Sequence, residues 1–159
     1  MSSPRDQLVE ILTPRLNSEI HCGPWLTVTQ ERIDAFARVS GDEQWIHTDP
    51  ERARRESPYK ATVAHGYLTL SLLTYLTESN HPDFFANNYP GMRYRVNYGL
   101  NRVRFPNPVK AEAAIRARTV LLSIEPVGEG VHLIYNITVE IEGENKPACI
   151  AEFLARVYP

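Results

Sequence analysis

Cysteine is scarce in this 159-residue chain: Cys22 and Cys149 stand far apart, without metal-type spacing. Two thiols are too few to staple a domain of this size, which excludes a disulfide scaffold and leads us to expect ordinary buried thiols in a reducing cytoplasm. An excess of one charge is missing too. The net charge of −2, with signs mixed along the chain, creates no long-range field for gathering nucleic acid or anionic lipid, so neither partner is expected. No apolar run approaches the roughly 20 residues that span a bilayer. The opening MSSPRDQLVEILTPRLNSE is too polar for a signal-peptide core, so the expectation is a cytoplasmic protein without membrane attachment. Repeats, low-complexity tracts and Gly/Ser linkers are also lacking, and nothing in the composition divides the chain. Its length suits one domain over residues 1–159, with residues 1–20 as a peripheral N-terminal segment.

What is present falls into two halves. Thr29 suits a helix N-cap, Glu31 suits the first turn, and Ile33, Phe36 and Ala37 form one apolar stripe; Ser40-Gly41 should end that helix through a left-handed glycine. Asp49-Pro50-Glu51 reads as the start of a second short helix. After a polar stretch comes a run from Ala64 to Leu76 that is apolar on nearly every face, the pattern of a helix buried on all sides. The second half reads as strands. From Val131 to Glu142 the odd positions are apolar, a period of two, and weaker strands are predicted over Arg93 to Phe105, Ala113 to Ile124 and Ala148 to Val157. Short turns between neighbours predict an antiparallel sheet, and helices followed by strands predict an α+β fold with the sheet around the apolar helix.

Chemistry concentrates between the first two helices. In Gly41-Asp42-Glu43-Gln44-Trp45-Ile46-His47 an acid and an imidazole stand five residues apart on a loop. A carboxylate with a tunable pKa and a histidine with a reference value of about 6.5 suit proton movement at neutral pH. Taken singly, Asp42 could merely cap a turn and His47 could be a satisfied structural histidine. His65-Gly66 opens the apolar helix, where free N–H groups favour negative charge; glycine permits close approach, and His65 reads as structural. A metal held by Asp42, His47, Asp49 and His65 is conceivable, but no paired spacing supports it, and no metal is expected.

GDEQWIHTDPERA and the later ATVAHGYLTLSLL resemble the MaoC-like dehydratase family, whose motif runs Gly-Asp-x-Asn-Pro-x-His, then Ala-His-Gly and a long apolar helix. NYGLNRVRFP, from Asn97 to Pro106, is similar to the NodN-like branch. The resemblance runs from about Trp25 to the C-terminus. It implies a hotdog fold, an antiparallel sheet wrapped around the central helix, and (R)-specific hydration of 2-enoyl-CoA thioesters. Asp42 and His47 would be the catalytic pair, Gly66 N–H would bind the thioester oxygen, and the family's accessory hydroxyl would fall on Thr74. It also implies a homodimer whose two sheets join edge to edge, and no cofactor beyond the substrate's CoA. Gln44-Trp45 replace the commoner Asn-Pro, which alters the loop without changing the Asp42-to-His47 spacing.

Several readings stay open at this level. The Thr74 hydroxyl could be satisfied within its own helix. Arg102 and Arg104 suit either a solvated or dimer-facing stripe or CoA phosphates. Sequence does not decide which of Asp42 and His47 takes the water proton, or whether the carrier is CoA or acyl carrier protein. A hotdog thioesterase commonly carries a carboxylate on the central helix, which has none from Gly66 to Thr77. A binding protein on the same scaffold is the other rival.

Overall fold

The computed structural model describes residues 2–159. Helix α1 (Pro4–Leu12) and a 3-10 turn lead into the short strands β1 (Glu19–Cys22) and β2 (Leu26–Thr27). Helix α2 (Gln30–Ser40) starts as expected: the Thr29 hydroxyl accepts from the Arg32 N–H at 3.2 Å. It ends at Gly41, whose φ of 78° is costly for any residue with a Cβ. The single turn α3 (Trp45–Thr48) follows, and then α4 (Pro50–Glu56), where Asp49 caps Arg52 N–H at 2.9 Å and Pro50 takes the first helical position. After α5 (Gly66–Ser71), α6 (Leu73–Leu76) and α7 (Pro82–Asn88) come the long strands β3 (Tyr94–Arg104), β4 (Ala114–Val127), β5 (Gly130–Ile141) and β6 (Cys149–Tyr158).

The sheet is antiparallel throughout, in the order β1-β4-β5-β6-β3, with β2 also paired to β4. Strand β5 lies inside it, and its odd residues Val131 to Ile141 are all buried, as their alternation predicts. Ile115, Ala117 and Leu121 of β4 join them, with Ala151, Phe153, Ala155 and Val157 of β6; the other side of this core is Leu68, Leu72, Leu73 and Leu76.

Three expectations change. The Ala64 to Leu76 run is not buried on all sides. Tyr67 is 71% exposed and Tyr75 56%, and Ser71 and Thr74 share the open face. Tyrosine and threonine are amphipathic, so an uncharged helix can still turn such residues outward. The helix is also interrupted at Leu72, although the bonds Leu72 N–H to Leu68 O (3.0 Å) and Leu76 N–H to Leu72 O (2.9 Å) carry it across the break. Second, the described part of the N-terminal segment is not merely peripheral: Leu8 and Leu12, four apart on α1, are buried in the core. Burying each contributes about 1.5–3 kcal/mol, more than a loose segment would forgo. Third, only Cys149 is a buried thiol, its pKa pushed up to about 11 by burial; Cys22 is exposed on the edge strand β1. Among the described residues no helix is long and apolar enough to cross a membrane.

Inside the core one polar pair needs its partner. The Tyr89 and Tyr135 hydroxyls lie 2.6 Å apart, both buried, and burial raises both phenol pKa values so that each stays neutral. Tyr135→Phe strands the Tyr89 hydroxyl and is expected to cost about 1–3 kcal/mol in urea unfolding. Tyr89→Phe with Tyr135→Phe should cost less than the sum of the singles. Strictly additive losses would show that the two hydroxyls do not act as a pair.

Candidate active site

Gly41 stops α2 and Asp49 starts α4, leaving a short connection that must turn sharply. Asp42 lies in it, its backbone N–H on the Ser40 hydroxyl at 3.3 Å and its Oδ1 accepting from Gln44 Nε2 at 3.1 Å. His47 lies on the α3 turn and points inward. Its Nδ1 is 2.6 Å from the carbonyl oxygen of Val63, which can only accept, so Nδ1 carries the proton and Nε2 keeps a lone pair. That Nε2 is 4.0 Å from Asp42 Oδ2. The gap is too long for a direct hydrogen bond, and the Asp42 side chain is 44% exposed against 8% for His47.

The protonation states follow from these surroundings. The hydrogen bond from Gln44 is the main cause holding the Asp42 carboxyl below its ordinary range, with smaller contributions from His47 and His65. Burial is the main cause depressing the His47 pKa, and nearby His65 adds to it; the Val63 hydrogen bond and Asp42 oppose it without reversing it. At neutral pH the pair is therefore a carboxylate facing an uncharged imidazole, two acceptors with a gap between them, and not an ion pair.

The sequence reading missed one supporting residue. Gln30, in the first turn of α2, donates from Nε2 to the His47 carbonyl at 2.7 Å and to Asp34 Oδ1 at 2.8 Å. Its Oε1 accepts from the Thr62 hydroxyl. One amide thus joins α2, α3 and the segment before α5. Nothing in the local pattern marks it, because a glutamine in a first helical turn is ordinary.

Gly66 begins α5 directly after His65, and as the first helical residue its N–H has no acceptor within the helix. A Cβ there would lie 2.9 Å from the Phe105 ring, so the absence of a side chain is what allows that ring to cover the segment. Thr74 is placed elsewhere. It lies on the open face in a groove lined with Ser71, Tyr75, Glu78 and His81, which includes none of Asp42, His47 and Gly66. Arg102 and Arg104 are exposed on β3, at the free edge of the sheet.

Asp42, His47 and His65 each offer one atom within 4.8 Å of the others, which raises the question of a metal. The two rings stack with centroids 3.7 Å apart and planes 23° from parallel. Their in-plane lone pairs then run side by side, whereas an ion would need both to converge on it at about 2.0–2.1 Å. The cluster suits proton chemistry better than coordination.

Comparison with known proteins bears on the family and the fold. The family model described as "MaoC like domain" matches residues 13–141. The chain is 44% identical to 3-hydroxyacyl-thioester dehydratase Z of Mycobacterium tuberculosis over 133 residues, 83% of each chain. It is 43% identical to nodulation protein N of Rhizobium leguminosarum bv. viciae over 141 residues, 88% of this chain and 84% of that one. Among solved structures, the (R)-hydratase from A. caviae involved in PHA biosynthesis superposes with a TM-score of 0.61 at 19% identity, over 88% of this chain and 98% of that one. That likeness is one of fold, the hotdog arrangement of sheet and central helix.

Proposed function

From the premise that this chain belongs to the MaoC-like dehydratase family, a family of lyases, we propose that it is an (R)-specific enoyl-CoA hydratase, interconverting trans-2-enoyl-CoA and (R)-3-hydroxyacyl-CoA. The observation that carries this reading is the pair of acceptors, Asp42 Oδ2 and His47 Nε2, 4.0 Å apart on a loop open to solvent on the Asp42 side. One water can donate one hydrogen to each acceptor, which leaves its oxygen lone pairs free to attack. The water oxygen bonds to Cβ, the double-bond electrons move toward the thioester oxygen, and one water proton passes to the pair. The pair returns a proton to Cα from the same face, so addition is syn and the atoms of one water are consumed. Gly66 N–H is the donor for the oxyanion that forms transiently on the thioester.

The reaction needs no cofactor beyond the CoA carried by its substrate. A second copy is its other partner. Among the described residues strand β3 pairs only with β6, and it exposes Val96, Tyr98 and Leu100 along eleven residues of free edge, a surface suited to edge-to-edge pairing with another β3.

The direct test follows the ultraviolet absorbance of the enoyl thioester as purified protein meets crotonyl-CoA and a longer 2-enoyl-CoA. Loss of absorbance, a 3-hydroxyacyl product of (R) configuration and no free thiol is the expected result. Release of CoA would instead identify a thioesterase, and a folded dimer inert to both substrates would shift the reading to a binding protein.

A further inference from the structure

His65 lies between the parts of this site, and the mechanism above does not use it. It is 3% exposed, at the residue before α5. Its Nε2 is 2.8 Å from the Asp42 carbonyl oxygen, which can only accept, so the ring proton is on Nε2. One ring face stacks on His47 at 3.7 Å, and Phe36 of α2 packs against it at 5.0 Å and 57°. The remaining nitrogen, Nδ1, is buried with no hydrogen-bond partner.

We propose that His65 is a positioning residue of the hydratase site: an imidazole that ties the Asp42 backbone to the face of the His47 ring and so sets the gap in which the water is held. Its consequence for rate rests on the hydratase reading, whereas its geometry does not. Asp42 reaches the site from an exposed loop, and its own side chain is bonded only to Gln44, also exposed. The His65 bond to its carbonyl links that loop to the buried side of the site. The His47 ring is held at one edge by Val63, and the His65 stack fixes its rotation about that bond.

The titratable groups facing the two rings are Asp42 from the loop and each imidazole from the other; α2 presents Phe36 and the amide of Gln30, with Asp34 one hydrogen bond further out. The His65 Nε2 donor is held on the Asp42 carbonyl oxygen at 2.8 Å.

Two variants separate the ring from the donor. His65→Gln keeps an amide N–H near the position of Nε2 and loses the stack; His65→Phe keeps the stack and loses the donor. His65→Phe is expected to lower kcat/KM about tenfold to a hundredfold, the scale of a misplaced reacting group, and His65→Gln to recover part of the loss. In both, the acid limb of kcat/KM should move to higher pH, because a neighbouring imidazole that disfavours charge on His47 is gone. Parent-like rates in His65→Phe, or an unmoved acid limb in a folded variant, overturn the proposal, since a purely structural histidine would change stability alone. Nitrogen NMR of the unmodified protein decides without a variant. At neutral pH it should show His65 carrying a proton at Nε2 and His47 protonated at Nδ1 only; a His65 without the Nε2 proton, or the opposite tautomer of His47, overturns it. Because this readout needs no substrate, an inert parent enzyme would sink the hydratase reading while leaving the geometry tested.

Discussion

Asp42→Asn is expected to lower kcat/KM for crotonyl-CoA hydration by about 10²–10⁴-fold while leaving the fold intact. The carboxylate is half-exposed, its only side-chain partner is Gln44, and it lies beyond hydrogen-bond reach of His47, so no buried ion pair is broken by removing its charge. Asparagine has the same shape. Its amide, however, can turn N–H donors toward a water that needs an acceptor. The single variant therefore separates chemistry from packing: unfolding midpoint and circular dichroism should match the parent, and activity should collapse. A folded Asp42→Asn protein with full activity would remove Asp42 from the mechanism.

His47→Ala should lose activity on a similar scale and stability as well. His47 is buried and is the donor to the Val63 carbonyl, so truncation leaves that oxygen stranded, a cost of about 1–3 kcal/mol in denaturant unfolding. The parent's pH profile tests the same residue without mutation. Burial, aided by His65, holds the His47 pKa below its usual range, and Asp42 is held lower than an ordinary carboxyl. kcat/KM should therefore be flat through neutrality and fall only as pH drops below about 6.5, the unperturbed histidine value. Stability moves in the same direction. The unfolded chain, with its ordinary histidine, binds the proton first, so stability present at neutral pH is lost as pH falls from about 6.5 toward the folded value. An acid limb well above 6.5 would contradict a neutral His47 in the free enzyme.

Local rules account for much of what could be read beforehand. A cap needs only a hydroxyl or carboxylate three residues from an N–H, as at Thr29 and Asp49, and a left-handed exit needs only Gly41. The alternation along β5 reports burial because every second side chain of a strand inside a sheet meets the core. Where a strand lies at the edge the rule weakens: β3 was predicted only as a weaker strand and none of its residues is buried in the chain alone, and β1 and β2 were too short to register. Uniform apolarity also misled for α5 and α6, since it cannot distinguish a helix with four covered faces from one whose tyrosines turn outward.

Sequence by itself determined the α+β class, the main strands, and the five-residue spacing that puts Asp42 and His47 on one short connection. These depend on residues within a few positions of one another, where caps, turns and periodicity act. Only the tertiary structure decided which groups meet. Gln30 holds a carbonyl 17 residues away, Val63 fixes the tautomer of a ring 16 away, and His65 binds a backbone oxygen 23 away while stacking on His47. The same folding carried Thr74 onto an open groove, apart from the residues with which the motif had grouped it. Contacts across such separations are set by how the sheet, α2 and the Gly66 helix pack together. Their geometry is a property of the whole core, and no pattern within a single segment encodes it.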